Sequence, residues 1–126
     1  MPTLPAISES EWDVMNVLWS AGGAALTAND VVARLAGVRD WSPRTVKTLL
    51  NRLINKGALA YEARGKHYLY RPKVTREQCV REETRSFLSR VFGNAPGAML
   101  LHFVAQAKLT PEEVEALKRL LDKKGK

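Results

Sequence analysis

The 126-residue sequence contains a single cysteine, Cys79, so it cannot form an internal disulfide. A chain of this size without disulfides is typical of the cytoplasm. None of its apolar runs approaches the ~20 residues that are needed to span a bilayer. The first eight residues, MPTLPAIS, lack the basic and long apolar regions of a signal peptide. We therefore expect a cytoplasmic protein without membrane insertion.

The sequence also lacks the motifs of common enzyme and metal sites. It has no Walker-type phosphate loop, no HExxH zinc motif and no nucleophile motif. His67, His102 and Cys79 are far apart in sequence and do not have the spacing of metal ligands. We expect no enzymatic activity, no cofactor and no bound metal.

Acidic residues are scarce in the middle of the chain. Residues 42–73 contain eight Lys or Arg against Glu62 alone, which gives a net charge of +7. Residues 1–41 contain two Arg against five acids (−3), and residues 74–126 contain ten Lys or Arg against seven acids (+3). Positive charge that is concentrated in one segment predicts a polyanionic partner, and nucleic acid is the first candidate.

The segment WSPRTVKTLLNRLINKG, residues 41–57, contains no acid and predicts a helix. Ser42 is a favourable N-cap, Pro43 suits the first helical position, and Gly57 is a typical helix terminator. One stripe is apolar and is predicted to be buried: Val46, Leu49, Leu50, Leu53 and Ile54. The opposite face is polar or basic: Arg44, Thr48, Asn51 and Asn55, flanked by Thr45, Lys47 and Arg52.

Residues 1–73 have the element order of a winged helix. A first helix is predicted after the Ser8–Glu11 capping box, and a second one follows Thr27. After the third helix, LAYEAR and HYLYRP have the period of strands and are joined by Gly65-Lys66. In a winged helix the third helix enters the major groove and the hairpin, or wing, lies against the backbone or minor groove. We therefore predict a mostly α-helical fold with a small β-hairpin wing.

Residues 74–126 predict three more helices. The first begins after Thr75 and ends at the helix-breaking GNAPG segment, the second follows that segment, and the third begins after Thr110. About 50 residues are marginal for independent folding, so their apolar stripes favour burial against a partner subunit. We interpret this region as a helical dimerisation domain. Its predicted interface residues are Phe87, Leu88, Val91, Met99, Leu100, Phe103, Val104, Val114, Leu117 and Leu121.

The segments SPRTVKTLLNRLINKGAL and FLSRVFGN…AMLLHFV, with the wing between them, resemble the penicillinase and methicillin-resistance repressor family, the BlaI/MecI type. The similarity covers residues 6–123. It implies a dimeric winged-helix repressor that binds double-stranded operator DNA of β-lactam resistance genes. It also implies that Arg44, Thr45, Thr48 and Arg52 contact the operator.

The resemblance further implies a mode of induction, in which a membrane-bound sensor detects the antibiotic and triggers cleavage of the repressor indirectly. The Asn-Phe bond that is cut in the family aligns with His102-Phe103, so the phenylalanine is kept and the asparagine is replaced. The paired Cys-x-Cys motifs of the related copper-responsive branch are missing, and Cu(I) sites need such thiolates. Relief of repression by another signal remains an alternative.

We expect the DNA-contacting residues to be Ser42, Arg44, Thr45, Lys47, Thr48, Asn51, Arg52, Arg64, Lys66 and His67. Arginine is suited to guanine edges, and threonine to a base edge or a thymine methyl. Cations at the wing tip suit phosphates, although a charged hairpin edge also prevents aggregation. Asn51 fits a base, a phosphate or plain surface equally well. The alternatives are a winged-helix repressor of a different, metal- or ligand-responsive operon and a winged-helix protein-binding module.

Overall fold

A computed structural model of the chain describes residues 6–125. These residues form six helices and two strands: α1 (Glu9–Ser20), α2 (Ala28–Leu35), α3 (Pro43–Asn55), β1 (Leu59–Arg64), β2 (His67–Pro72), α4 (Arg76–Phe92), α5 (Pro96–Gln106) and α6 (Pro111–Lys124). The fold prediction, mostly α-helical with a small hairpin, is confirmed. Most of residues 1–8, the segment considered for a signal peptide, lies outside the described residues. Residues 1–5 and 126, at the outer ends of the two predicted domains, also lie outside them.

The helices begin where the capping residues predict. In α1 the Ser8 hydroxyl accepts the Glu11 N–H while the Glu11 carboxylate accepts the Ser8 N–H, which completes a capping box. Thr27 caps α2 and Thr110 caps α6 through the same reciprocal bonds. Each box satisfies N–H groups that have no partner inside the helix, and so fixes the helix start. The predicted caps of these helices are confirmed.

Strands β1 and β2 form an antiparallel hairpin. Their register pairs Leu59 with Pro72 and Arg64 with His67, which leaves Gly65 and Lys66 as the two loop residues. Gly65 has φ +59°, a value that L side chains adopt only under strain. Leu26 pairs with Tyr70 through two backbone hydrogen bonds, which ties the segment before α2 to the hairpin. The predicted two-residue loop is confirmed.

One core joins α1, α2, α3 and the hairpin. Its fully buried members are Val14, Met15, Leu18, Val31, Val46, Leu50, Leu53, Ala58 and Leu59. Trp12, Trp19 and Trp41 are partly buried against this core. The Trp19 indole N–H also donates to the Val74 carbonyl at 3.0 Å. This bond secures the segment that follows the wing.

The start of α4 adds a residue to the same core. Thr75 and Gln78 form the predicted reciprocal cap, and Cys79 is buried in the core cluster. Burial raises the pKa of the Cys79 thiol above its ordinary value, which keeps it protonated at neutral pH. Val80, the next residue, is exposed. The side of α4 that carries Cys79 therefore faces the core.

The chain divides into two compact units, with the division between Thr84 and Arg85, inside α4. In the second unit, Gly93 and Asn94 take left-handed φ values of 54° and 65° and end α4 as the GNAPG segment predicts. The rings of Phe87 and Phe103 stack with centroids 5.9 Å apart, and Phe92 lies against both. Aromatic packing therefore joins α4 to α5 within this unit.

Much of the apolar surface of the second unit is exposed. Of the predicted interface residues, Met99 is buried and Phe87, Leu88 and Leu117 are half-buried. The others are exposed: Val91, Leu100, Phe103, Val104, Val114 and Leu121. Among residues 6–125, no helix combines the length and the apolar character that crossing a membrane requires.

Candidate nucleic-acid interface

Helix α3 separates an apolar face from a polar one as the sequence predicts. Val46, Leu49, Leu50 and Leu53 are buried, and Ile54 is half-buried at the edge of the core. The opposite residues are all exposed: Arg44, Thr45, Lys47, Thr48, Asn51, Arg52 and Asn55. Packing therefore fixes one side of the helix and leaves an acid-free surface on the other.

The first turn of α3 is held by hydroxyl groups. The Ser42 hydroxyl oxygen accepts the Thr45 N–H at 3.2 Å and shares a second hydrogen bond with the Thr45 hydroxyl, also at 3.2 Å. One turn later the Thr48 hydroxyl donates to the Arg44 carbonyl at 3.0 Å. Three side chains of the predicted DNA-contacting set are therefore hydrogen-bonded within the helix and its cap.

The C-terminal end of α3 is tied to α1 by an ion pair. The Lys56 ammonium, at the C-cap of α3, contacts the carboxylate of the buried Glu11 and donates to the Ala6 carbonyl at 2.9 Å. Burial alone would raise the pKa of Glu11, but hydrogen bonds from Lys56 and Ser8 and the charge of Lys56 outweigh it, so the pKa is lowered. Glu11 therefore stays ionised and holds Lys56 at the helix end.

The segment before α3 is held by Arg39. Its Nε atom contacts Asp13 of α1 at 2.8 Å, and its guanidinium lies over the Trp41 ring, 5.4 Å from the centroid. A cation over an indole face is attracted by the electron density of the ring. Trp41 directly precedes the Ser42 cap, so these contacts fix the entry into α3.

The wing places two cations and a histidine near its tip. Arg64 ends β1, Lys66 is in the loop and His67 begins β2, and all three are exposed. The Arg64 guanidinium lies 3.9 Å from the Glu62 carboxylate, and both side chains are well exposed. A pair with this geometry contributes little, so Arg64 remains accessible to another anion.

Side chains of the wing and of α3 line a common cavity of about 240 Å³. Lys47 and Asn51 of α3 line it from one side, and Lys66 and His67 of the wing from another. Thr27 and Asn29, at the start of α2, also line this cavity and were not predicted as site residues. The sequence carries no signal for them, because only the packing of α2 beside α3 brings them here.

A second cavity, of about 370 Å³, lies between the last turns of α3 and the hairpin. Asn51 and Asn55 of α3 line it together with the three tyrosines of the wing. Tyr70 is buried, whereas Tyr61 and Tyr68 meet edge to face at 5.3 Å and are 55% and 52% exposed. Asn51 lines both cavities and therefore faces the wing.

His102 and Phe103, which form the bond predicted to be cleaved, lie in the middle of α5. Both residues are exposed, and Phe103 also stacks on Phe87. The Phe103 carbonyl accepts a hydrogen bond from the Ala107 N–H at 2.9 Å. In this structure the bond is therefore part of a regular helix.

The chain matches the penicillinase repressor family over residues 7–123. It is 33% identical to the penicillinase repressor of Bacillus licheniformis over 122 residues, 97% of this chain and 94% of that one. It is 32% identical to the methicillin resistance regulatory protein MecI of Mammaliicoccus sciuri over 118 residues, 94% of each chain. A solution structure of monomeric Bacillus licheniformis BlaI with the blaP half-operator gives a TM-score of 0.51 at 36% identity, over 61% of this chain and 92% of that chain.

Three helices, an antiparallel hairpin and a cationic third helix define the class of winged-helix DNA-binding proteins. Within that class, the chain belongs to the penicillinase repressor family. It is therefore a DNA-binding transcriptional repressor and not an enzyme, and family membership confirms both predictions.

Proposed function

We propose that this repressor binds operator DNA as a homodimer and controls a β-lactamase gene or another β-lactam resistance gene. The observation that carries the proposal is the acid-free exposed face of α3, with the cationic wing tip beside it. The names of the relatives support the choice of target genes, since they are repressors of penicillinase and regulators of methicillin resistance. We further propose that the protein acts in the cytoplasm, where bacterial DNA lies.

Arg44 and Arg52 are our candidates for contact with bases. Both are exposed, and among residues 6–125 neither has a salt bridge, so their guanidinium groups are available. A guanidinium can donate two parallel hydrogen bonds to the O6 and N7 atoms of guanine in the major groove. Thr45 and Thr48 lie on the same exposed face and complete this base-contacting surface.

Lys47, Lys66 and His67 are our candidates for contact with one DNA strand. They line the same cavity although they come from two different elements, so an anion in it would meet all three. Thr27 and Asn29 add neutral polar groups to this lining. Phosphates are the anions that DNA presents, and contacts to them fix the position of a protein without selecting a sequence.

The homodimer is supported by the apolar surface of the second unit. Leu100, Val104 and Leu121 are each about half exposed or more, and they line a cavity of about 380 Å³ together with Leu117. A unit of about 40 residues seldom buries enough apolar surface to fold without a partner. A second copy of the chain would cover this surface and join two DNA-binding units.

We propose that induction cuts the bond between His102 and Phe103 after a membrane sensor has detected the antibiotic. The cut would divide α5 and separate α6 from the rest of the chain, so the apolar surface of the second unit would no longer be continuous. Dimerisation would then weaken, and the linkage between the two DNA-binding units would be lost.

The division between base and phosphate contacts is tested by two substitutions. DNA recovered by in vitro selection with the full chain serves as probe, and affinity is measured by fluorescence anisotropy at several salt concentrations. Arg44→Ala is expected to cost about 1–3 kcal/mol on this probe and to relax preference at one base pair. Lys66→Ala is expected to weaken selected and random DNA alike and to lower the salt slope by about one.

Lys108→Ala is the matched control, because Lys108 is an exposed cation outside the proposed surface. It should bind like the wild type. If both test variants behave identically on all sequences, the assignment of Arg44 to bases is wrong. If the full chain selects no sequence at all, operator binding itself is contradicted.

Deletion of the gene should also raise β-lactamase activity or β-lactam resistance in the native host.

A further inference from the structure

The two threonines on the exposed face of α3 differ from its arginines, because their hydroxyl groups are already used within the protein. The Thr48 hydroxyl donates to the Arg44 carbonyl at 3.0 Å. The Thr45 hydroxyl shares a 3.2 Å hydrogen bond with Ser42, the N-cap of the helix. Threonine in a helix commonly turns its hydroxyl to the carbonyl four residues earlier.

This geometry limits what Thr48 can offer to a base. A hydroxyl group has one proton to donate, and that of Thr48 is directed at a backbone carbonyl. It is then not available for the acceptor atoms of guanine or for O4 of thymine. The hydroxyl oxygen lies against the helix backbone, so the methyl group is the branch left at the exposed surface.

We propose that Thr48 identifies a thymine by contact between its own methyl group and the 5-methyl group of the base, and not by a hydrogen bond. The inference rests on the proposed operator binding and specifies how one residue contributes to it. Arg44 and Arg52 lie one turn before and one turn after Thr48, about 6 Å away along the helix axis. The thymine would therefore lie between the base pairs that the two arginines contact.

The test removes the methyl group from each partner in turn. The probe is the duplex recovered by in vitro selection with the full wild-type chain, and its thymines are replaced one at a time by deoxyuridine. Deoxyuridine differs from thymidine only by the missing 5-methyl group. At one thymine per half-site, we expect the replacement to weaken wild-type binding about fourfold, as for the loss of one buried methyl-sized group.

Two variants separate the methyl group of Thr48 from its hydroxyl. Thr48→Ser keeps the hydroxyl and loses the methyl group, so it should bind the thymine probe more weakly and no longer distinguish deoxyuridine at that position. Thr48→Val keeps the methyl group and loses the hydroxyl, so it should stay within about twofold of the wild type and still distinguish the two bases. Thermal unfolding of each variant checks that α3 remains folded.

Equal losses for the valine and serine variants would show that the hydroxyl contacts the base, and would overturn the inference. A deoxyuridine scan in which no position depends on Thr48 would overturn it as well. Both outcomes leave the proposed function intact, because they are obtained on a sequence that the full chain has selected. Failure of the selection itself would instead contradict operator binding.

Discussion

At the scale of single residues, Glu11 has two roles that involve different parts of the first unit. Its carboxylate accepts the Ser8 N–H and so caps α1, and it also contacts the Lys56 ammonium at the end of α3. Its side chain is only 1% exposed, whereas that of Lys56 is 35% exposed. A buried carboxylate that lost this cation would keep a charge without adequate solvation. The pair therefore positions α3, which we propose contacts DNA, against α1.

Replacement of Glu11 should reveal this role in stability. We expect Glu11→Gln to lower the free energy of unfolding at pH 7 by about 1.5–3 kcal/mol, the range for a hydrogen bond to a charged group. Glutamine has the shape of glutamate and can still accept the Ser8 N–H, so the lost free energy of unfolding measures the contribution of the Glu11 charge. Urea denaturation of both proteins, followed by circular dichroism, measures the difference.

The difference should depend on pH in one direction. The folded protein lowers the pKa of Glu11, so the contribution of its charge is fully present above the unfolded value of about 4.3. The contribution is lost as the pH falls through the lower, folded value. The stabilities of wild type and Glu11→Gln should therefore converge as the pH falls below the folded pKa of Glu11. Glu77→Gln removes an exposed pair with Arg81 and should change stability by less than about 1 kcal/mol.

At the scale of elements, α5 contains the bond whose cleavage we propose. A protease binds its substrate in an extended form, so the hydrogen bonds of α5 around Phe103 must first open. Gly93 and Asn94 precede this helix, and Ala95 provides no side-chain cap to its N-terminus. Local opening of α5 is therefore expected to precede cleavage.

Exposure of cells to a β-lactam should produce a fragment that ends at His102. Immunoblots against the N-terminal part of the chain, with mass spectrometry of the fragment, measure its appearance. Phe103→Ala removes the side chain that a protease subsite would hold and should keep the repressor intact. Leu101→Ala, a change at an exposed neighbouring residue, should leave cleavage unaffected. An intact 126-residue band throughout full derepression would contradict the proposed switch.

At the scale of the whole molecule, operator affinity should depend on dimerisation. Leu121→Glu places a charge in the apolar cavity between α5 and α6, where Leu121 is 60% exposed in one chain. We expect a monomer in analytical ultracentrifugation and an operator affinity lowered by about 10²- to 10⁴-fold. Arg119→Glu introduces the same side chain on α6 outside this cavity. That control should remain a dimer, and a dimeric Leu121→Glu variant would argue against this interface.

The first unit should fold and bind half an operator by itself. A fragment that ends at Thr84 keeps Cys79 in the core and retains the bond from Trp19 to Val74. We expect it to unfold cooperatively and to bind a half-site far more weakly than the full chain binds the operator. A shorter fragment that ends at Val74 lacks Cys79 and should be less stable. Equal affinity of fragment and full chain would contradict the proposed linkage.

The sequence by itself determined the elements of this protein. Ser8, Thr27, Ser42 and Thr110 mark helix starts because a short polar side chain satisfies free N–H groups locally. The apolar stripe and acid-free face of α3 follow from helical periodicity, and the loop at Gly65 follows from its tolerance of positive φ. These features depend on residues that are close in sequence, so they can be predicted without a fold.

Only the tertiary structure decided which distant residues meet. Glu11 contacts Lys56, and Thr27 and Lys66 line the same cavity. Both arrangements depend on how the helices and the hairpin pack, which no local sequence pattern encodes. The same holds for Cys79, because its burial depends on which side of α4 meets the core. Long-range packing fixes these contacts, because burial of apolar surface depends on the whole fold and not on neighbours in the chain.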